Sequence, residues 1–283
     1  MTGPAHLSSS VLDEYLHHTL QLSHHQQVRA HLDTCEPCWQ AWNRYRWDAA
    51  GTSPLYAQLA KFLGADFRPY FDSSRSLATE WDAADPSNEH AAAEFFRTST
   101  SYLYNLAIWE ASGNRPAYVS HALPTLVRYG IRTVLDYGCG IGSDAVSLWR
   151  SGFDVIGCDF HSPSTAFLRW RSQGAVPVIE PGELGSIDKP DALWVIDTLD
   201  HLIDIEASLG TILPVIALMA TENLTTNNGH GWQRFHYRRP FPELVALFAR
   251  YGLTPSVASA NTPIMFWTRE LTSGPCRVGG GVW

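Results

Sequence analysis

The chain has 283 residues, which at roughly 150 residues per domain allows one large domain, alone or with a small companion. Hydrophobic residues make up 45% and charged residues 17%, a balance that supplies a core and excludes a disordered chain. The net charge of −8, from 20 Lys+Arg against 28 Asp+Glu, argues against a general nucleic-acid surface.

The first stretch, 1–49, is rich in histidine (His6, His17, His18, His24, His25 and His31) and holds two close cysteines, Cys35 and Cys38. Ser8 to Ser10 can cap a helix carrying Val11, Leu12, Tyr15 and Leu16, and Ser23 a second carrying Val28 and Leu32. A third is expected after Pro37, anchored by Trp39, Trp42 and Trp47, before a linker at Ala50-Gly51-Thr52-Ser53-Pro54. Its start has no basic residue before Arg29 and no apolar h-region, unlike a signal peptide.

Residues 50–115 read as a helical linker or lid. Leu55 to Leu63 is a short amphipathic run, Phe67 to Asp85 is aromatic and irregular, and Ala91 to Ser112 predicts one long helix. Another helix runs from His121 to Tyr129 and ends at Gly130.

From residue 131 strands alternate with helices. Strands are predicted at Arg132–Leu135, Phe153–Cys158, Val176–Ile179, Ala192–Ile196 and Val215–Ala220, with two more in 253–269. Helices are predicted near Asp144–Arg150, Ser164–Arg171 and Pro242–Tyr251. This alternation implies an α/β fold with a mostly parallel sheet and right-handed crossovers over 116–272, followed by a tail at 273–283. The most apolar run, 211–220, contains Pro214 and is about half the ~20 residues of a membrane span. Five scattered cysteines do not form a disulfide framework, so a reducing, cytoplasmic setting is expected.

The sharpest local pattern is Val134-Leu135-Asp136-Tyr137-Gly138-Cys139-Gly140-Ile141-Gly142, a strand running into a glycine turn with a helix after it. Glycines there permit a tight turn and close approach of a ligand to the backbone. About 20 residues on, Asp159 follows the second strand, where an acid can accept hydrogen bonds from both ribose hydroxyls of a nucleoside. Ser143 stands where a dinucleotide fingerprint would place its third glycine or an alanine.

With Asp136 ahead of its glycines, this stretch resembles the first motif of class I S-adenosylmethionine-dependent methyltransferases. Asp191 to Leu202 resembles that family's fourth-strand motif, with Asp197 after the strand and the pair Asp200-His201 beyond it. The likeness spans roughly 116–270 and implies a Rossmann-like, seven-stranded sheet. It implies S-adenosylmethionine held by Asp136, Gly138, Cys139, Gly140, Gly142, Asp159, Phe160, Glu180 and Asp197. Asp159 would take the ribose, Asp136 the ammonium end and Glu180 the adenine edge. The acceptor side would draw on Tyr102, Tyr104, Trp109, His201, His230, Trp232, His236 and Tyr237, with His201 and His236 as the candidate catalytic groups. No Asn/Asp-Pro-Pro-Tyr tetrad follows the fourth strand, and Asp197-Thr198-Leu199-Asp200 stands there instead. A small-molecule or peptide-derived specialised metabolite is therefore the expected acceptor, with no nucleic-acid or membrane partner and a monomer or homodimer as the assembly.

His31, Cys35 and Cys38 form HxxxCxxC, with His31 and Cys35 one turn apart on a helix. Three such ligands suit tetrahedral zinc, which needs a fourth. The pattern resembles the zinc-binding anti-sigma-factor domain over 5–45. That resemblance puts the remaining ligand near His6, with His17, His18, His24 and His25 as alternatives. It also raises a protein partner for this module and, with it, a regulatory reading of the whole chain. A third reading keeps the cofactor but turns it to chemistry other than methyl transfer.

Overall fold

In the central strands neighbouring residues are apolar on both faces, the composition of a sheet covered by helices on each side. The computed structural model describes residues 6–84, 89–224, 236–237, 239–256 and 262–269. Its sheet comprises β1 (Thr133–Tyr137), β2 (Asp154–Cys158), β3 (Val178–Ile179), β4 (Ala192–Val195), β5 (Leu218–Glu222), β6 (Leu253–Pro255) and β7 (Ile264–Arg269). The seven strands run in the order β3-β2-β1-β4-β5-β7-β6, consistent with the expected Rossmann-like, seven-stranded sheet. The first five are mutually parallel, while β7 pairs antiparallel with β5 and β6. The order reverses between β1 and β4, the switch point where such sheets open a crevice at their C-terminal ends.

Twelve helices fall within the described residues: α1 (Ser9–Leu16), α2 (Leu22–Thr34), α3 (Glu36–Ala50), α4 (Pro54–Leu63), α5 (Ser73–Ala84), α6 (Glu89–Thr98), α7 (Thr100–Ala111), α8 (Tyr118–Arg128), α9 (Ser143–Arg150), α10 (Pro163–Arg171), α11 (Ile205–Leu209) and α12 (Phe241–Ala249). Alternation along each strand divides the core. Val134 and Trp194 pack with α8 and α9 on one face, while Leu135, Leu193 and Val195 pack with α11 and α12 on the other. A third cluster joins Trp47 of α3, Leu59 of α4 and Tyr104 and Ile108 of α7 to Ile141 of the glycine turn and Phe167 of α10. The N-terminal helices are thereby packed onto the turn that opens the crevice. Leu12, Leu16, Val28, Leu32 and Trp42 form a smaller cluster of their own among α1, α2 and α3.

The local differences from expectation have physical causes. The predicted single helix over 91–112 is two, because Ser99 takes an extended conformation and its hydroxyl accepts from Tyr102 N at the start of α7. The run Thr98-Ser99-Thr100-Ser101 offers hydroxyls that compete with helix continuation. Within the stretch read as irregular, α5 forms, with Asp72 Oδ1 accepting from Arg75 N and Leu77 and Trp81 buried one turn apart. Ser23 lies inside α2 rather than at its cap, where Gln21 stands with no side-chain bond. β5 starts at Leu218 rather than Val215, beyond the turn that carries Pro214. No helix among the described residues is long and apolar enough to cross a membrane.

Candidate functional site

The turn between β1 and α9 is closed by its own backbone. Gly138 N donates to Cys158 O at 2.7 Å, and Gly142 N to Cys139 O at 2.7 Å. Gly138 has φ +77°, and a side chain there would overlap Thr198. Gly142 has the same φ, caps α9, and would drive a side chain into Leu168. Its role is helix packing, while Gly138, Cys139 and Gly140 face the crevice.

Asp159 sits just past β2, beside this turn. Its two oxygens accept from Gly140 N at 2.8 Å and Phe160 N at 2.7 Å. Enclosure pushes its carboxyl up to about 6, against the pull of those two amides. Phe160 forms the adjoining wall of a cavity of about 770 Å³ that also reaches Asp159, Thr198 and His201. Glu180 is engaged from another direction. Arg97 of α6 grips both its oxygens, the Nη2–Oε2 bond being 2.7 Å, and His161 N donates to Oε1 at 3.0 Å. The guanidinium holds Glu180 at about 2, well below the usual carboxylate range. Arg97 also lies 4.6 Å over the Phe160 ring, so Glu180 ties α6 across the Asp159 end of the crevice.

The opposite end is organised by a residue that sequence reasoning passed over. Arg115 binds Asp144 through two 2.7 Å bonds and lies 4.0 Å from Asp197. Its guanidinium carbon lies 5.3 Å from the Trp109 ring centre and 4.8 Å from that of Tyr118. Asp144 also accepts from the buried Trp194 indole at 2.8 Å. Arg115 lies in the loop Gly113-Asn114-Arg115-Pro116, where periodicity is silent; only its place just ahead of the helix preceding β1 could have flagged it. Asp136 is buried at the end of β1, and burial, with Asp144 nearby, raises its carboxyl well above the normal range. Asp197 follows β4 at φ +52°, unusual for a residue with a side chain. Burial pushes it up to about 7, against the pull of Arg115. Its backbone N donates to Glu222 Oε2 at 3.0 Å, which joins the end of β5 to the same cluster.

The expected acceptor residues separate. Tyr102 and Trp109 line the crevice. Tyr104 does not: it is fully buried, with its hydroxyl donating to Asp66 O and accepting from Arg68 N. His201 and His236 come together, their rings 4.6 Å apart, with Asp200 between them. Tyr237 N donates to Asp200 O at 2.6 Å. His230 and Trp232 lie outside the described residues.

In the N-terminal helices, His6 Nδ1 is 3.5 Å from Cys35 Sγ and 3.4 Å from Cys38 Sγ. His31 Nε2 is 3.2 Å from Cys38 Sγ, and Leu7 N donates to the same sulfur at 3.3 Å. The donor atoms of His6, Cys35 and Cys38 lie within 4.8 Å of one another, and His31 reaches the group through Cys38. His17, His18, His24 and His25 are not part of it.

No family model and no curated relative matches the chain. Solved structures do resemble it. A magnesium protoporphyrin IX methyltransferase from Synechocystis with bound S-adenosylmethionine aligns at 15% identity over 72% of this chain and 100% of that one, with a TM-score of 0.44. A TehB-like S-adenosylmethionine-dependent methyltransferase from Corynebacterium glutamicum aligns at 16% identity over 60% and 96%, with a TM-score of 0.44. The methyltransferase domain of bacterial CtHen1 aligns at 19% identity over 53% and 96%, with a TM-score of 0.39.

Removing one half of the Arg115–Asp144 pair leaves the other charge enclosed and uncompensated. Arg115→Met is expected to destabilise the fold by about 3–5 kcal/mol in chemical denaturation. Adding Asp144→Asn should recover much of that loss, since the stranded charge is gone and the amide oxygen still accepts from Trp194. Equal destabilisation in the single and double variants would show that the pair is not the source.

Proposed function

We propose that the chain is an S-adenosylmethionine-dependent methyltransferase that modifies a small-molecule or peptide-derived metabolite. The observation that carries this reading is the placement of Asp159 at the end of β2 beside the Gly138–Gly140 turn, with Asp136 and Arg115 at the other side of that turn. An acid at the first position suits a ribose diol. An acid and a guanidinium at the second suit the ammonium and carboxylate of an amino-acid tail. The cofactor's sulfonium adds a positive charge to a crevice rich in carboxylates. When bound, the cofactor supplies an electrophilic methyl group. The chain's own residues align the acceptor with it and keep water out, which is most of what an in-line displacement requires. Tyr102 forms part of the wall on the acceptor side, and Arg97 with Glu180 holds α6 over the nucleoside side.

The N-terminal helices carry a structural zinc site in this reading. A tetrahedral ion with Zn–S near 2.3 Å and Zn–N near 2.0 Å places sulfur and nitrogen about 3.5 Å apart. The His6 contacts to Cys35 and Cys38, at 3.5 and 3.4 Å, fit that spacing, and His31 completes a set of two thiolates and two imidazoles. Four protein ligands close the site and leave no position for a substrate.

S-adenosylhomocysteine should bind tightly at pH 8 and lose about tenfold in affinity for each pH unit below about 6. The sign follows from the raised value for Asp159: the free protein takes up the proton that a ribose-accepting carboxylate must lack. Asp159→Asn should bind about 100-fold more weakly at pH 8, from loss of two charge-assisted hydrogen bonds, and should lack the break near 6. Calorimetry giving the variant unchanged affinity would defeat the assignment. For the N-terminal site, native mass spectrometry should find zinc on the purified chain, and Cys38→Ser should lose it while amide protection falls in α1 and α2. Undiminished metal content in that variant would remove Cys38 from the ligand set.

A further inference from the structure

Helix α1 is fixed at both ends by groups far from it in sequence. At its start, His6 sits against Cys35 and Cys38, and Leu7 N donates to Cys38 Sγ at 3.3 Å, so the first turn hangs on the cysteine cluster. At its other end, Leu16 O belongs to the last turn, whose carbonyls have no partner within the helix, and Asn114 Nδ2 donates to it at 2.6 Å. His18 follows at φ +54°, unusual for a residue with a side chain, and its Nε2 donates to Asn114 O at 2.7 Å. The His18 ring also stacks on His25 of α2 at 5.8 Å, and His25 on Tyr15 of α1 at 4.4 Å. A helix of 8 residues, about 12 Å long, thus joins the cysteines to Asn114.

Asn114 is the chain neighbour of Arg115. Gly113 takes φ +78°, and the loop gives Asn114 to α1 while Arg115 reaches Asp144 inside the crevice. The loop's own backbone supplies a bond from Gly113 N to Glu110 O at 3.1 Å and one from Arg115 N to Trp109 O at 3.2 Å. The bonds to Leu16 and His18 are therefore a large part of what orders it. We infer that Asn114 is a positioning residue that couples the N-terminal metal module to Arg115. Metal at His6, His31, Cys35 and Cys38 holds α1, α1 holds the loop through Asn114, and the loop holds the guanidinium where a ligand's carboxylate meets it. The coupling rests on the zinc and cofactor readings above.

The sign of the effect follows from the cost of ordering. A loop already held before the ligand arrives loses less freedom on binding, so the metal tightens the ligand. Linkage then requires the ligand to tighten the metal by the same factor. The effect is confined to the amino-acid tail. Asp159 and Phe160 stand at the other end of the crevice, where Asp159 is oriented by Gly140 N and Phe160 N. A nucleoside that lacks the tail is therefore indifferent to the order of the 113–116 loop.

The test uses the full-length chain and calorimetry with two ligands, S-adenosylhomocysteine and 5′-methylthioadenosine, which shares the nucleoside but has no amino-acid tail. Removal of zinc with a chelator should weaken S-adenosylhomocysteine about tenfold and change methylthioadenosine by less than about twofold. Asn114→Ala should show that selective loss with zinc still bound, and chelation should then add less than about twofold. His18→Gly, whose backbone takes the same φ without strain, should weaken S-adenosylhomocysteine in the same selective way, so the result does not depend on one variant folding. Hydrogen exchange gives a readout that needs no ligand: chelation should speed exchange in both α1 and the 113–117 segment of the wild-type chain. In Asn114→Ala that segment should already exchange fast and respond no further, while α1 still responds. Equal weakening of both ligands in Asn114→Ala, or a chelator effect there as large as in the wild-type chain, overturns the coupling. Failure of both ligands to bind the wild-type chain defeats the cofactor reading, and exchange in 113–117 that ignores the chelator overturns the coupling by itself. A chain that takes up no zinc defeats the zinc reading and the coupling with it.

Discussion

Four neighbouring parallel strands carry an acid at or just beyond their C-terminal ends, and the crevice outside those ends has to accommodate them. Asp136 is the penultimate residue of β1, Asp159 follows β2, Asp197 lies just beyond β4 and Glu222 closes β5. Each is pushed upward first by burial, because a low-dielectric surrounding disfavours the carboxylate. Arg115 answers part of this, but Asp144 takes both arms of its guanidinium. A positively charged ligand favours the ionised form of such acids, so the crevice suits a ligand that is positive. A sulfonium cofactor with an ammonium tail meets that description.

The helical half of the chain is tied to this crevice through packing. Ile141 of the glycine turn is buried against residues of α3, α4 and α7, so the turn's conformation and the docking of those helices depend on one another. Arg97 reaches from α6 to Glu180 at the far rim, and Arg171 donates to Ile141 O from behind the turn. The smaller cluster around Leu16, Val28 and Trp42 has few apolar residues for three helices, which is the circumstance in which a bound zinc contributes most to holding a fold.

Much of this was legible in the sequence where local chemistry and the fold agree. The strand–turn–helix at Val134 to Ser143 and the acid at Asp159 are short-range patterns with one physical reading, and the structure places them together. The mostly parallel sheet follows from the alternation of strands and helices, while the order of its strands is seen only in the fold. Helix breaks were harder, because Ser99 ends a helix by a side-chain bond that periodicity does not register. The ionic partners were hardest. Arg97 and Glu180 are far apart in sequence, as are Arg115 and Asp197, and only the folded chain brings them within reach. Tyr104 shows the reverse error: an aromatic at helical spacing near a predicted cleft proves to be core, its hydroxyl satisfied by backbone. His201 and His236 were each visible as candidates, but their meeting at Asp200 was not.

The central claim is that the acids at the strand ends receive a cationic nucleoside cofactor. A crystal structure of the chain with S-adenosylmethionine tests it most directly. The account predicts both ribose hydroxyls on Asp159, the ammonium at Asp136 and the carboxylate toward Arg115. A nucleoside bound away from Asp159, or a crevice that stays empty at saturating cofactor, would contradict it.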